Sequence, residues 1–174
     1  NVEVNVCSGT NSEQICAAVN EGKLDLGLVL GGLSTDNYRD VRQVASLGVE
    51  PLHLLVRREL LDAAPRPSLE LLRGRRVVLG EQGANGARLA EDLLQLAGLM
   101  GDSSDASSEL IAEHLAEPAL LEQIVAWRNA PASEKDALRK RLPDAAFVVD
   151  SMPSEVVDQL IRDGDYGLMP LPFA

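Results

Sequence analysis

The chain has 174 residues, of which 45% are hydrophobic and 25% charged, a balance that favours a packed core over global disorder. Its net charge of −11 repels a phosphate backbone, so we expect no binding to nucleic acid. Two cysteines and two histidines support neither a disulfide framework nor a zinc site, and no run of about 18 apolar residues predicts a membrane span.

The first 50 residues carry strand-like patterns. Apolar residues alternate over 2–7 and run almost continuously over 24–30, and a third apolar segment covers 41–47. Such patterns predict strands. A helix follows the first of them, with Ser12 as its predicted N-cap.

The middle of the chain alternates strands and helices. We predict strands at 52–57 and 76–79, and a short helix capped by Ser68 between them. A glycine-rich turn at 80–86 then leads into an amphipathic helix over 87–97.

The last third continues this alternation after a Ser/Asp-rich loop at 101–108. The predicted elements are helices at about 109–127, with an interruption at Pro118 as an option, and at 133–141, a strand at 145–149, a helix at 154–161 and a strand at 166–171. Alternation of this kind indicates an α/β fold with a largely parallel sheet.

Polar or glycine-rich segments follow four of the predicted strands. Ligands of open α/β sheets bind beside the carboxyl ends of strands. The segment 80–86 is the sharpest candidate, because its glycines let the backbone approach a ligand and the next helix offers unpaired N–H groups; an ordinary strand-to-helix turn is the alternative. The predicted ligand-binding residues are Ser8, Gly9, Thr10, Gly31, Gly32, Gly83, Asn85, Gly86, Asp150 and Ser151.

The sequence contains no recognisable catalytic motif. Neither a Gly-x-Ser-x-Gly elbow nor a His-Glu-x-x-His pair occurs. We expect His53 to be a core or hinge histidine and His114 to be solvated on a charged helix face. The chain is therefore predicted to be no enzyme and to use neither a cofactor nor a metal.

Cys7 and Cys16 are placed at the end of a predicted strand and in the following helix. This placement allows a disulfide bond but does not require one. We favour free thiols packed as small hydrophobic side chains.

Several segments resemble a known family. Residues 21–29 (Glu-Gly-Lys-Leu-Asp-Leu-Gly-Leu-Val) resemble the glycine, hydrophobic, aspartate signature of type 2 periplasmic binding proteins. Residues 69–86 resemble that family's Leu-x-Gly-Lys-Arg-Val strand and turn, and 87–99 its helix ending in Leu-x-x-Ala-Gly-Leu. Residues 144–149 with the helix to Ile161 resemble its Asp-Ala-Phe-Phe strand. The chain looks most like the TAXI group of receptors for tripartite (TRAP) transporters.

The resemblance implies a type 2 periplasmic-binding-protein fold, with mostly parallel sheets flanked by helices in two lobes. Residues 1–50 would form part of the first lobe, 51–57 the strand that crosses between lobes, and 58–174 the second lobe, with a helical insertion at about 107–141. Because the chain begins at Asn1 in strand-like sequence, we expect it to be part of a longer protein with an incomplete first lobe.

The function implied by the resemblance is capture of a small organic acid or amino acid for a membrane transporter. The protein would be periplasmic or otherwise extracytoplasmic, with a membrane anchor as an option for the full-length form, and its partners would be the transporter subunits. A ligand-sensing domain of a membrane receptor or transcription regulator is the alternative. An incomplete first lobe also predicts exposed apolar surface and self-association.

Overall fold

The computed structural model describes residues 3–7, 11–30, 33, 36–101 and 110–171. The chain divides into two compact units, residues 1–48 and residues 49–174. The second unit holds a five-stranded sheet with the strand order β3-β2-β4-β1-β5. Its strands are β1 (Leu52–Arg57), β2 (Arg76–Gly80), β3 (Ile111–His114), β4 (Ala145–Val149) and β5 (Tyr166–Leu168).

Four of the five strands run in one direction. β2 pairs in parallel with both β3 and β4, whereas β1 lies antiparallel between β4 and β5. The carboxyl ends of β2, β3 and β4 therefore meet at one edge of the sheet, together with the amino end of β1. The expected α/β architecture with a mostly parallel sheet flanked by helices is confirmed at this level.

Six α-helices and one short 3-10 helix accompany the sheet in the described residues. The α-helices are α1 (Ser12–Asn20), α2 (Arg58–Ala63), α3 (Asn85–Leu96), α4 (Glu117–Asn129), α5 (Ala132–Arg139) and α6 (Glu155–Asp163), and the 3-10 helix covers Leu69–Leu72. Only α1 belongs to the first unit.

Apolar layers cover both faces of the sheet. On one face α3 packs Ala90 and Leu94 against strand residues that include Leu54 and Phe147. On the other face α4 and α6 form a second apolar cluster with the strands; its buried members are Leu55, Val78, Leu120, Ile124, Leu142, Ala146, Val148, Val157, Leu160 and Tyr166. Burial on both sides explains why β1 and β4 read as continuous apolar runs.

A buried arginine closes the amino edge of the sheet. The Arg57 side chain is 8% exposed and donates hydrogen bonds to the carbonyl oxygens of Arg139, Leu142 and Pro143. The Tyr166 hydroxyl donates to the same Pro143 oxygen at 2.7 Å. These bonds tie β1 and β5 to the loop that enters β4, at the edge opposite the candidate site.

The predicted elements of the second unit largely occur where the sequence placed them. β1, β2 and β4 confirm the strands at 52–57, 76–79 and 145–149, and α3 begins two residues earlier than predicted. β5 is shorter than the predicted 166–171. The Ser68 side chain makes no capping hydrogen bond, although the residue does occupy the cap of the 3-10 helix.

The predicted helix over 109–127 is wrong at its start. Residues Ile111–His114 form β3, and the helix begins only at Glu117, with Pro118 in its first turn. Proline suits that position because its missing N–H has no acceptor there. Parallel pairing with β2, reinforced by an ion pair of 2.7 Å between Arg76 and Glu113, makes the preceding residues a strand.

The three strands predicted for the first unit do not form. Residues 3–7, 24–30 and 41–47 belong to no strand, because no other described segment pairs with them. α1 is present, but Asn11 is its N-cap and accepts from the Gln14 N–H at 2.8 Å. The hydroxyl of Ser12, the predicted cap, instead accepts from the Leu30 N–H at 3.0 Å.

Both cysteines are free thiols. Cys16 is buried, as predicted, on the inner side of α1. Cys7 is exposed, so the prediction that it packs as a small hydrophobic side chain is wrong.

Candidate functional site

The candidate site lies at the carboxyl edge of the sheet in the second unit. β2 ends at Gly80 and continues into the turn before α3, and β4 ends at Val149 and continues into Asp150. β2 and β4 are parallel neighbours, so these two segments leave the sheet side by side.

The turn after β2 is built on glycine conformations. Gly80 has φ +107° and Gly83 φ +80°, both in the region that side chains with a Cβ disfavour. The Ala84 N–H donates to the Glu81 carbonyl at 3.0 Å, which closes the turn. Gly83 is exposed, and α3 starts at Asn85, which confirms the predicted strand, open turn and helix.

The start of α3 has no side-chain cap. Ala84 occupies the cap position and has no polar side chain to accept from the first N–H groups of the helix. These N–H groups and the positive end of the helix dipole favour an anion. Gly86 has a packing role in addition, since a Cβ at this position would lie 3.1 Å from Cγ2 of Val149.

The carboxylate of Asp150 is held by two serine residues. Oδ1 accepts from the Ser151 N–H at 2.7 Å, and Oδ2 accepts from the Ser154 hydroxyl at 2.5 Å. The Ser154 hydrogen bond lowers the pKa of Asp150 most, burial opposes the shift, and the Ser151 bonds add to the lowering. Asp150 therefore remains ionised at neutral pH.

His53 contacts the main chain of the same residue. Its side chain is buried in β1, beside Val148 of β4, and Nε2 lies 3.3 Å from the Asp150 carbonyl oxygen. The tautomer with hydrogen on Nε2 donates to that oxygen. Of the two predicted options, a core or a hinge histidine, the burial of His53 agrees with the core position.

A second carboxylate at this edge was missed by the sequence analysis. Glu117 is half-buried in the first turn of α4, and burial raises its pKa, with the negative charge of Asp150 adding to the effect. The Glu117-Pro118 pair is a usable signal, because proline marks the first turn of a helix and an acidic residue favours that turn.

His114 lies at the carboxyl end of β3, so its predicted position on a helix is wrong. Its Nε2 is 3.5 Å from Oε1 of Glu91 on α3, and its side chain is 31% exposed. The histidine is therefore partly solvated, at the same edge of the sheet as the glycine turn.

The structure brings half of the predicted site residues to one edge. Gly83, Asn85 and Gly86 lie in the turn and in the first turn of α3, and Asp150 and Ser151 follow β4. The other predicted site residues lie outside the described residues; they are Ser8, Gly9, Thr10, Gly31 and Gly32.

An open depression of about 340 Å³ lies farther along the same edge. It is mainly apolar, and its lining residues are Leu52, His53, Leu54, Leu168, Met169, Pro170 and Leu171. His53 thus borders the depression while it contacts Asp150.

The described part of the chain contains neither a cluster of metal-ligating side chains nor a helix that could span a membrane. No group of three or more His, Cys, Asp or Glu side chains there could hold a metal ion. No helix there is long and apolar enough to cross a membrane.

A scan against protein-family models and a search of curated proteins find no match to this chain.

Proposed function

We propose that this chain is part of an extracytoplasmic receptor that captures a small amino acid or organic acid for a tripartite (TRAP-type) transporter and carries out no chemical step itself. The proposal rests on the carboxyl edge of the sheet. There an open glycine turn and an uncapped helix start follow β2, and the hydrogen-bonded carboxylate of Asp150 follows β4, the parallel neighbour of β2. Binding of a solute needs fixed polar groups of this kind, and it does not need a nucleophile with a general base.

The same proposal includes the specific fold, the family group, the location and the partners of the protein. We propose that the chain has the type 2 periplasmic-binding fold and is similar to the TAXI group. We also propose a periplasmic location and the transporter subunits as partners. All four proposals rest on the resemblance of residues 21–29, 69–99 and 144–161 to that family. The mixed α/β sheet of the second unit is compatible with them.

The charges at the edge favour an amino acid over a simple organic acid. The free N–H groups at the start of α3 suit a carboxylate. Asp150 and Glu117 are hydrogen-bond acceptors; burial raises the pKa of Glu117, and the negative charge of Asp150 adds to this rise, so the two carboxylates repel one another. An ammonium group relieves that repulsion, and an amino acid carries both required groups.

The test is a thermal-shift screen that compares each protein amino acid with the acid that lacks its amino group. An amino acid at about 100 times its Kd stabilises the folded protein by about 2.7 kcal/mol. This raises Tm by several degrees for a chain of this size, about 2 to 4 °C per kcal/mol.

Two variants make the screen specific. Asp150→Asn should remove most of the shift, because the ammonium loses one of its two anionic acceptors and the repulsion that it relieves is gone. Asp136→Asn is the matched control, on the exposed surface of α5, and should keep the shift. A wild-type protein that responds to no amino acid and no organic acid would contradict the proposed function.

A further inference from the structure

A single buried hydroxyl connects the Asp150 carboxylate, which we propose binds the ligand, to the N-terminus of α6. Ser154 is 7% exposed and is the N-cap of α6. Its Oγ accepts from the Val157 N–H at 3.0 Å and donates to Oδ2 of Asp150 at 2.5 Å.

The direction of both bonds follows from chemistry. A backbone N–H can only donate, and an ionised carboxylate can only accept, so the one hydroxyl hydrogen of Ser154 must point to Asp150. Rotating the hydroxyl away would cost Oδ2 of the partly buried Asp150 its charge-assisted hydrogen bond. The cap of α6 thus fixes where Oδ2 lies.

The rest of Asp150 is held by other elements. Its Oδ1 accepts from the Ser151 N–H, and its carbonyl oxygen lies within hydrogen-bonding distance of His53 in β1. Each carboxylate oxygen has two acceptor positions. Oδ1 accepts a second, longer hydrogen bond of 3.5 Å from the Ser151 hydroxyl, whereas Oδ2 accepts from Ser154 in one position and can accept one further hydrogen bond from a ligand.

We infer that Ser154 is a positioning residue for the ligand-binding carboxylate of Asp150. This inference rests on the proposed function. Preorganisation of this kind improves affinity because the ligand need not order a freely rotating carboxylate. A helix cap with no link to the site would contribute stability alone.

Two variants separate positioning from capping. Ser154→Gly removes the hydroxyl donor, and glycine at an N-cap costs only a few tenths of a kcal/mol relative to serine. Ser154→Thr keeps the hydroxyl and serves as the rescue variant. The first readout is the pKa of Asp150, followed by carboxyl ¹³C NMR during an acid titration, which needs no ligand.

We expect the pKa of Asp150 to rise in Ser154→Gly and to stay low in Ser154→Thr. The charged carboxylate stabilises the native state above its unfolded pKa, and that contribution is lost as pH falls through the lower folded pKa. The Tm values of wild type and Ser154→Gly should therefore converge in acid. An Asp150 pKa that is identical in wild type and Ser154→Gly would overturn the inference.

The second readout is the amino-acid panel of the thermal-shift screen. Ser154→Gly should lose most of the Tm shift, and Ser154→Thr should keep it. If wild type binds and Ser154→Gly binds equally well, the positioning role is wrong while the receptor function stands. If wild type binds nothing on the panel, the receptor function fails, and the NMR titration still decides whether Ser154 holds the carboxylate.

Discussion

The two compact units of the chain treat their apolar side chains in opposite ways. In residues 49–174, Leu54, Leu55 and Val56 are no more than 1% exposed, because helices cover both faces of the sheet. In residues 1–48, Leu26 is 74% exposed and Leu28 76%. An apolar strand pattern becomes a core only where a second layer packs against it.

The backbone shows the same difference. β1 pairs with β4 over residues 52–56 on one side and with β5 over residues 55–57 on the other. The segment 24–30 is an almost continuous apolar run as well, yet its Leu30 N–H donates to the Ser12 hydroxyl instead of to a strand. A strand needs a partner for its N–H and C=O groups, and periodicity alone does not supply one.

The largest expected effect comes from one substitution made in each unit. Leu54→Ala should lower the free energy of unfolding by about 3 to 4 kcal/mol, since it removes buried methyl groups and leaves a cavity. Leu28→Ala should change it by less than about 0.5 kcal/mol, because that side chain is already exposed. Urea unfolding followed by circular dichroism measures both, and equal losses would show that Leu28 is packed in solution.

The next effect concerns the tyrosine at the amino edge of the sheet. Burial raises the pKa of Tyr166 to about 12, although the nearby Arg57 opposes the shift. Above the ordinary pKa of about 10, the unfolded state ionises while the folded state keeps its proton. The contribution of Tyr166 to stability is therefore complete below about pH 10 and is lost as pH rises towards 12, which amounts to roughly 3 kcal/mol.

Absorbance of tyrosinate near 295 nm follows this ionisation directly. The step near pH 12 should vanish in Tyr166→Phe and remain in Tyr38→Phe, which changes the tyrosine of the first unit. A titration of Tyr38→Phe with its midpoint near pH 10 would mean that Tyr166 is not buried.

The last prediction concerns the mass of the particle in solution, where the substitutions are expected to change the fold least. We expect self-association through the exposed apolar side chains of residues 1–48, which would about double the mass of 18.6 kDa if a dimer forms. The double variant Leu26→Lys and Leu28→Lys should restore the monomer. Leu96→Lys, at an equally exposed position of α3, is the control and should leave the mass unchanged.

Light scattering over a range of concentrations checks the mass, and hydrogen exchange checks the mechanism. If strands form on association, the amides of 24–30 should exchange more slowly as concentration rises. A wild-type monomer at high concentration would contradict self-association and leave the exposed apolar side chains of the first unit without this explanation.

Much of the candidate site could be predicted because its conformation is local. Gly80 and Gly83 adopt positive φ within a few residues of each other, and the apolar positions of α3 repeat at helical spacing. The proximity of Glu117 to Asp150 could not be predicted, since it depends on where α4 begins relative to β4. The hydrogen bond from Ser154 to Asp150 could not be predicted either, because it depends on where the N-terminus of α6 lies relative to the end of β4.

The sequence by itself determined the apolar strands β1, β2 and β4, the glycine turn and the helix that follows it, because backbone preference and side-chain periodicity act over short distances. Tertiary structure alone decided that Ile111–His114 is a strand, through its parallel pairing with β2. It also decided that 3–7, 24–30 and 41–47 are not strands. Strand pairing joins residues far apart in the chain, so the same local pattern forms a sheet in one unit and stays unpaired in the other.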